Sequence, residues 1–154
     1  MALYCDTNLL IRLYCEMPDS SQTIERLKSL RRSRDTRLHI TWLHQLEMAN
    51  ALQQLVFFAR NGRGIRMTPE RATIALADFD EDLSTGHGLI QSPVAVGELV
   101  RATRELSLRH TASHGFRAYD IAHIACAHLL GCESFWSFDV KACKLANLEG
   151  LKVV

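Results

Sequence analysis

A chain of 154 residues, 47% hydrophobic and 23% charged, is long enough to bury the core of one globular domain, and its composition is neither disordered nor fibrous. The net charge of +1 does not by itself point to a nucleic acid or a membrane surface as partner. No apolar run approaches the roughly 18 residues of a transmembrane helix. The start reaches Asp6 without a basic leader, which disfavours a signal peptide and makes the cytosol the expected compartment.

The cysteines are Cys5, Cys15, Cys126, Cys132 and Cys143. Their odd number and the lack of any C-x-x-C pair argue against both a disulfide framework and structural zinc, leaving small, reduced, mostly buried apolar residues. Arginine supplies 14 of the 18 basic residues and suits bidentate phosphate contacts better than lysine. Basic residues cluster between Arg26 and Arg37 and between Arg60 and Arg71. A solvated helix face accounts for that clustering as well as nucleic-acid binding does.

In chain order, Ala2-Leu3-Tyr4-Cys5 is an apolar run that reads as a buried strand, closed by Asp6-Thr7-Asn8 at the start of a helix with Leu9, Leu10 and Leu13 on one face. After the break at Pro18-Asp19-Ser20, Ile24, Leu27 and Leu30 mark a second helix that ends in the basic segment Arg31 to Arg37. Leu38-His39-Ile40-Thr41 is the next predicted strand, and a long helix follows over Leu43 to Ala59, ended by Asn61-Gly62-Arg63-Gly64. Thr68-Pro69 combines a cap with proline at the first helical position. A turn and short strand are predicted from Gly86 to Ile90, a helix from Ser92-Pro93, a loop from His110 to Gly115 and an apolar helix from Tyr119 to Leu130, closed by Gly131. Ser134 to Phe138 reads as a strand, Asp139 to Ala146 as a short helix, and Gly150 to Val154 as the turn into a final strand. Strands alternating with helices imply an α/β fold with a parallel sheet covered on both faces, and functional residues beyond the carboxyl ends of its strands.

Four acids stand in apolar contexts: Asp6 after the first strand, Glu47 inside Leu46-Glu47-Met48-Ala49, Asp120 at the head of the Tyr119 helix, and Asp139 after Phe135-Trp136-Ser137-Phe138. Taken singly, Asp6, Asp139 and Asp120 also read as helix caps, and Glu47 as a residue on a solvent-facing side. Taken together at one rim, they form a cluster of mutually repelling carboxylates whose hard oxygens suit Mg2+ or Mn2+ better than zinc. His110 and His114, four apart, fall in the predicted loop and share no helical face there. No glycine-rich phosphate-binding sequence follows any strand, which disfavours a nucleotide-binding or flavodoxin-like protein.

The segments Tyr4-Cys5-Asp6-Thr7-Asn8-Leu9-Leu10, Leu46-Glu47-Met48-Ala49-Asn50-Ala51-Leu52, Arg117-Ala118-Tyr119-Asp120-Ile121-Ala122-His123-Ile124-Ala125, Phe135-Trp136-Ser137-Phe138-Asp139 and Ala146 to Val153 resemble, in order and from end to end, the PIN-domain family and within it the VapC-type toxins. The resemblance implies a single domain over residues 1–154 with a three-layer α/β/α sandwich. It implies a metal site of Asp6, Glu47, Asp120 and Asp139, supported by Thr7, Asn8 and Ser137. It also implies metal-dependent RNA hydrolysis leaving 5′-phosphate and 3′-hydroxyl ends, a homodimer, and a cognate antitoxin as partner. His123, one turn after Asp120, is expected to make a structural hydrogen bond. Arg12 and Arg117, close in sequence to the motif acids, are the expected RNA contacts. A PIN-like RNA-processing nuclease and a non-catalytic RNA- or protein-binding module are the alternatives.

Overall fold

The computed structural model describes residues 2–34 and 36–154; residue 35, within the expected basic segment, lies outside them. Its elements in chain order are β1 (Leu3–Cys5), α1 (Thr7–Tyr14), α2 (Ser20–Arg34), β2 (Leu38–Ile40), α3 (Trp42–Arg60), α4 (Pro69–Thr85), β3 (Leu89–Gln91), α5 (Val96–His114), α6 (Ala118–Leu129), β4 (Ser134–Trp136), α7 (Val140–Leu148) and β5 (Lys152–Val153). The strands form one sheet in the order β3-β2-β1-β4-β5, parallel throughout.

Alternation along each strand divides the core. Leu3, Cys5, Leu38, Ile40 and Trp136 pack with α1 to α4 around Leu9, Leu10, Met48, Leu52 and Phe79. Tyr4 and Phe135 face the opposite way, into the layer of α5 to α7, with Leu99, Ile121, Ile124 and Leu145. Because successive side chains of a strand point to opposite faces, a strand buried on both faces must be apolar at nearly every position, which is why these runs were conspicuous in the sequence. The result is the expected three-layer α/β/α sandwich.

The order β3-β2-β1-β4-β5 also locates the functional end. The chain lays β1, β2 and β3 outward in one direction, then returns to place β4 on the other side of β1. At such a reversal the connections leave the sheet to opposite sides and open a crevice beyond the strand ends. Asp6 follows β1 immediately and Asp139 stands three residues after β4, so both acids flank that crevice.

The local signals account for most boundaries. Asp6 caps α1, accepting from the Leu9 N–H, and Asp139 caps α7, accepting from the N–H groups of Lys141 and Ala142. Thr68 caps α4 by accepting from the Arg71 N–H, with Pro69 in the first turn. Thr68→Ala is expected to cost about 1 kcal/mol of stability, read as a lower urea midpoint with an unchanged slope.

Two boundaries differ by more than two residues from the sequence reading. The segment expected to be a loop from His110 to Gly115 is helical to His114, and α5 ends at Gly115 with φ 66°. His110 is held there by Glu149, 2.5 Å from its Nε2, and His114 packs near Phe116. These contacts override the weak helix preference of a Ser/Thr/His-rich stretch. Nor does α5 begin at Ser92-Pro93. The Ser92 N–H donates to the Ile40 carbonyl and its hydroxyl meets His39 Nδ1 at 2.8 Å, so Ser92 prolongs the edge of β3 and the helix starts at Val96.

Candidate acidic site at the sheet switch point

Glu47 lies on α3, Asp120 at the third position of α6, and Asp6 and Asp139 at the heads of α1 and α7. Asp6, Glu47 and Asp120 line one cleft of about 330 Å³, together with Thr7, Asn8, Ile11, Asn50, Ala51, Gln54, Arg117, Tyr119 and His123. Asp139 joins them through Arg117. That guanidinium donates to Asp120 from Nε at 2.9 Å and from an Nη at 3.1 Å, and the same Nη reaches Asp139 at 3.0 Å. The four acids are therefore gathered at one end of the sheet.

Asp6 and Asp139 are both caps and members of the cluster, so the two readings open for each in the sequence coexist. Asp120 is not a cap. The cap position belongs to Arg117, which makes no side-chain capping bond, and Asp120 turns to the cleft instead. Glu47 faces the cleft, not bulk solvent, with about a quarter of its side chain exposed.

Each acid is oriented by a neighbour. The Thr7 hydroxyl donates to Glu47 Oε2 at 2.6 Å. Asn8 Nδ2 and the Ser137 hydroxyl both donate to Asp6 Oδ2, at 3.3 and 2.5 Å, and Ser137 Oγ accepts the Asp139 N–H at 2.8 Å. Thr7, Asn8 and Ser137 thus touch the acids they were expected to support. Burial raises the Asp6 pKa above the usual carboxylate value, against the opposing pull of Ser137, His123, the Leu9 N–H and Asn8. Burial acts on Glu47 in the same sense, but His123, Thr7 and His44 together outweigh it and leave that carboxyl below its ordinary value.

Behind Glu47 lies a buried polar chain that the sequence reading missed in part. His123 donates from Nε2 to Glu47 Oε2 at 2.5 Å, and its Nδ1 lies 3.1 Å from the Tyr4 hydroxyl. Next to it, fully buried His44 accepts the Thr41 N–H at Nδ1, 3.0 Å away, so its proton is on Nε2, which donates to the Cys5 carbonyl at 2.8 Å. Burial, with the neighbouring His123, lowers the His44 pKa to about 3, and the ring is neutral. The chain ties the end of β1 to α3 and α6 and so fixes the spacing of the elements that carry Asp6, Glu47 and Asp120. Its one sequence signal was Thr41-x-x-His44, a side chain returning to a cap position three residues before it.

The two arginines diverge. Arg117 lines the cleft. Arg12 does not: its Nε pairs with Asp19 at 2.7 Å, an Nη donates to the Asn8 carbonyl at 3.0 Å, and its guanidinium lies 3.9 Å from the centroid of the Phe138 ring. Arg12 is held by structural contacts because its helical face turns toward the loop after α1, which proximity in sequence to Asp6 does not reveal.

The oxygen-only donor set suits a hard divalent cation, and the seat of Arg117 between Asp120 and Asp139 accommodates positive charge. In the present side-chain arrangement, however, no three His, Cys, Asp or Glu side chains among the described residues are disposed to hold a metal ion. Glu47 is engaged by Thr7 and His123, and Asp120 and Asp139 by Arg117, so ion binding requires Arg117 to leave and carboxylates to turn.

The architecture is the PIN-domain fold of VapC-type toxins. Solved structures with this fold include VapC20 of Mycobacterium tuberculosis, a sarcin-ricin loop cleaving toxin, which matches with a TM-score of 0.62 at 15% identity over 93% of this chain and 94% of that one. FitAcB of Neisseria gonorrhoeae matches with a TM-score of 0.65 at 12% identity over 98% and 95%. No protein-family model and no curated protein sequence matches the chain. Among the described residues no helix is long and apolar enough to cross a membrane.

Proposed function

We propose that this protein is a divalent-metal-dependent endoribonuclease, the toxin of a toxin–antitoxin pair, with Asp6, Glu47, Asp120 and Asp139 as its acidic centre. The observation that carries this reading is the meeting of four acids from four separate segments at the switch point of a PIN fold. In this arrangement Arg117 and His123 pair with three of the acids, and four carboxylates gathered at one cleft favour a cation that neutralises them. The similarity to a toxin that cleaves the sarcin-ricin loop supports RNA as the substrate.

Asp6, Glu47, Asp120 and Asp139 are the groups that would hold Mg2+ or Mn2+. The ion, when bound, supplies Lewis acidity toward the phosphodiester and acidifies water. The chain's own contributions are positional. Ser137 and Asn8 hold the Asp6 carboxylate, and the Tyr4–His123–Glu47 chain with Thr7 holds Glu47. Arg117, released from Asp120 and Asp139, is the rim cation placed to pair with a substrate phosphate and adds to the salt dependence of RNA binding.

Cleavage of single-stranded RNA by the purified chain is expected to require added Mg2+ or Mn2+, to stop in excess EDTA and to return when the ion is restored. Asp120→Asn is expected to lose activity while keeping its circular dichroism spectrum. Cleavage that persists in excess EDTA would reject the proposal. A second reading, a metal-free RNA- or protein-binding module, is favoured by the engagement of three of the acids with His123 and Arg117. Mn2+ titration separates the two, since the module need not bind the ion. The homodimer and the antitoxin belong to the same proposal; a monomer by size-exclusion chromatography at micromolar concentration counts against the dimer.

A further inference from the structure

Beyond the acids, the cleft has a second part that the proposed chemistry does not use. Glu47, Asn50, Ala51 and Gln54 follow one another along α3 at intervals of three, one and three residues, which puts them on one helical face. At 1.5 Å per residue the stripe runs about 10 Å outward from Glu47 to Gln54. The amides of Asn50 and Gln54 make no hydrogen bond among the described residues and are exposed. They border the same cavity as Tyr119 of α6, a residue that is 55% exposed and whose ring and hydroxyl have no partner among the described residues. Ala51 leaves the floor between them open.

We propose that Tyr119 with Asn50 and Gln54 forms a nucleobase subsite that accepts one unstacked base of a single-stranded RNA next to the bond being cut. This rests on the ribonuclease reading and adds to it the part of the substrate that is gripped. An exposed aromatic ring beside a charged backbone-binding centre is a stacking platform, which serves every base because every base has a π-face. Primary amides carry both donors and an acceptor, the complement of a base edge, and bases in loops and single strands expose those edges. A cavity of about 330 Å³ is at the lower end for small-ligand pockets, a size that suits a single base. Stacking gives the grip and the two amides give the preference among bases.

The test uses a single-stranded oligoribonucleotide carrying 2-aminopurine at one position, bound to the full chain in an Asp6→Asn background so that the probe is not cut, alongside cleavage by chains with Asp6 intact. Binding is expected to quench the probe at one position. Tyr119→Ala removes the quenching and weakens binding about tenfold, within the range for loss of one base–aromatic stack, while Tyr119→Phe keeps both. An abasic substitution at that position weakens binding to the Tyr119 chain by a similar factor and costs Tyr119→Ala nothing further, the signature of a shared interaction. In cleavage, Tyr119→Ala acts through KM, and Asn50→Ala or Gln54→Ala changes the relative rates on different bases. If RNA is cut and Tyr119→Ala binds it as tightly and quenches as fully as the parent, the subsite is overturned while the nuclease reading stands. The same result with loss of a protein partner's binding assigns Tyr119 to a protein interface, which also overturns it. A chain that neither binds nor cuts RNA overturns both.

Discussion

Asp6→Asn is expected to abolish RNA cleavage while leaving the fold in place, and its effect should be the largest of any single change at the site. Disturbing a residue behind a metal ligand commonly costs 10- to 100-fold in affinity or activity. Removing the charge of a ligand itself is expected to exceed about a hundredfold. The fold survives because Asn caps a helix nearly as well as Asp, and the Leu9 N–H that Asp6 accepts finds an amide oxygen in its place. The local cost is confined to the other oxygen, where Ser137 and Asn8 both donate and an amide nitrogen cannot accept from either.

The pH dependence of the same variant has a definite sign. Burial raises the pKa of Asp6 in the folded state, so between the unfolded value, about 3.9, and the folded one, the native state holds more proton than the unfolded state. Stability therefore falls as pH rises through that window, and at neutral pH the ionised Asp6 weighs against folding. The amide of the variant does not ionise and escapes this cost. In EDTA, the melting temperature of the variant minus that of the parent should rise from pH 3 toward pH 7, and added Mn2+ should stabilise the parent only. Equal cleavage by the two chains, or a difference that declines toward neutral pH, would contradict the assignment.

The strands and most caps were legible in the sequence because burial on both faces forces continuous apolar runs and because Asp, Thr and Pro signal helix starts by their own backbone chemistry. Asp6 and Asp139 were conspicuous for that reason, each standing at the junction of such a run and a helix. Glu47 was conspicuous among apolar neighbours, but a residue in a 19-residue helix cannot be aimed from sequence without knowing how that helix is rotated against the sheet. The same gap separated the two arginines: Arg117 reached the cleft, whereas Arg12 was drawn to Asp19 and Phe138. The extent of α5 was illegible because its last turn depends on Glu149, 39 residues away from His110, and long-range contacts leave no local pattern. Tyr4, Thr41 and His44 sit in or beside apolar runs and resemble core filling until the partners of their polar atoms are known.

That buried chain sets the second large prediction. Acidification from pH 6.5 to pH 4 is expected to remove about 3 kcal/mol of stability through His44 alone, at about 1.4 kcal/mol per pH unit for a single group. The sign follows from where the proton binds. In the unfolded chain the imidazole takes it near 6.5, while in the folded protein it resists until about 3, because protonating Nδ1 removes the acceptor of the Thr41 N–H and places a charge where no water reaches. The unfolded state thus gains protons across the window and the native state does not, so stability is lost as pH falls. His39, half-buried with its pKa lowered mainly by burial, acts in the same direction. Glu47 and Glu149, whose folded values are lowered, add to the loss only below their unfolded range near 4.3, whereas Asp6, whose folded value is raised, opposes it above about 3.9. His39→Gln in an Asp6→Asn background removes the contributions of His39 and Asp6 and leaves that of His44 to be read. Urea unfolding at half-unit intervals measures the slope, and the ring resonances of His44 should stay fixed over the range in which an exposed histidine titrates. A flat stability profile in the His39→Gln, Asp6→Asn double variant, or a His44 ring that titrates near 6.5, would mean that the neutral imidazole bridging the Thr41 N–H and the Cys5 carbonyl is not what joins β1 to the helix carrying Glu47.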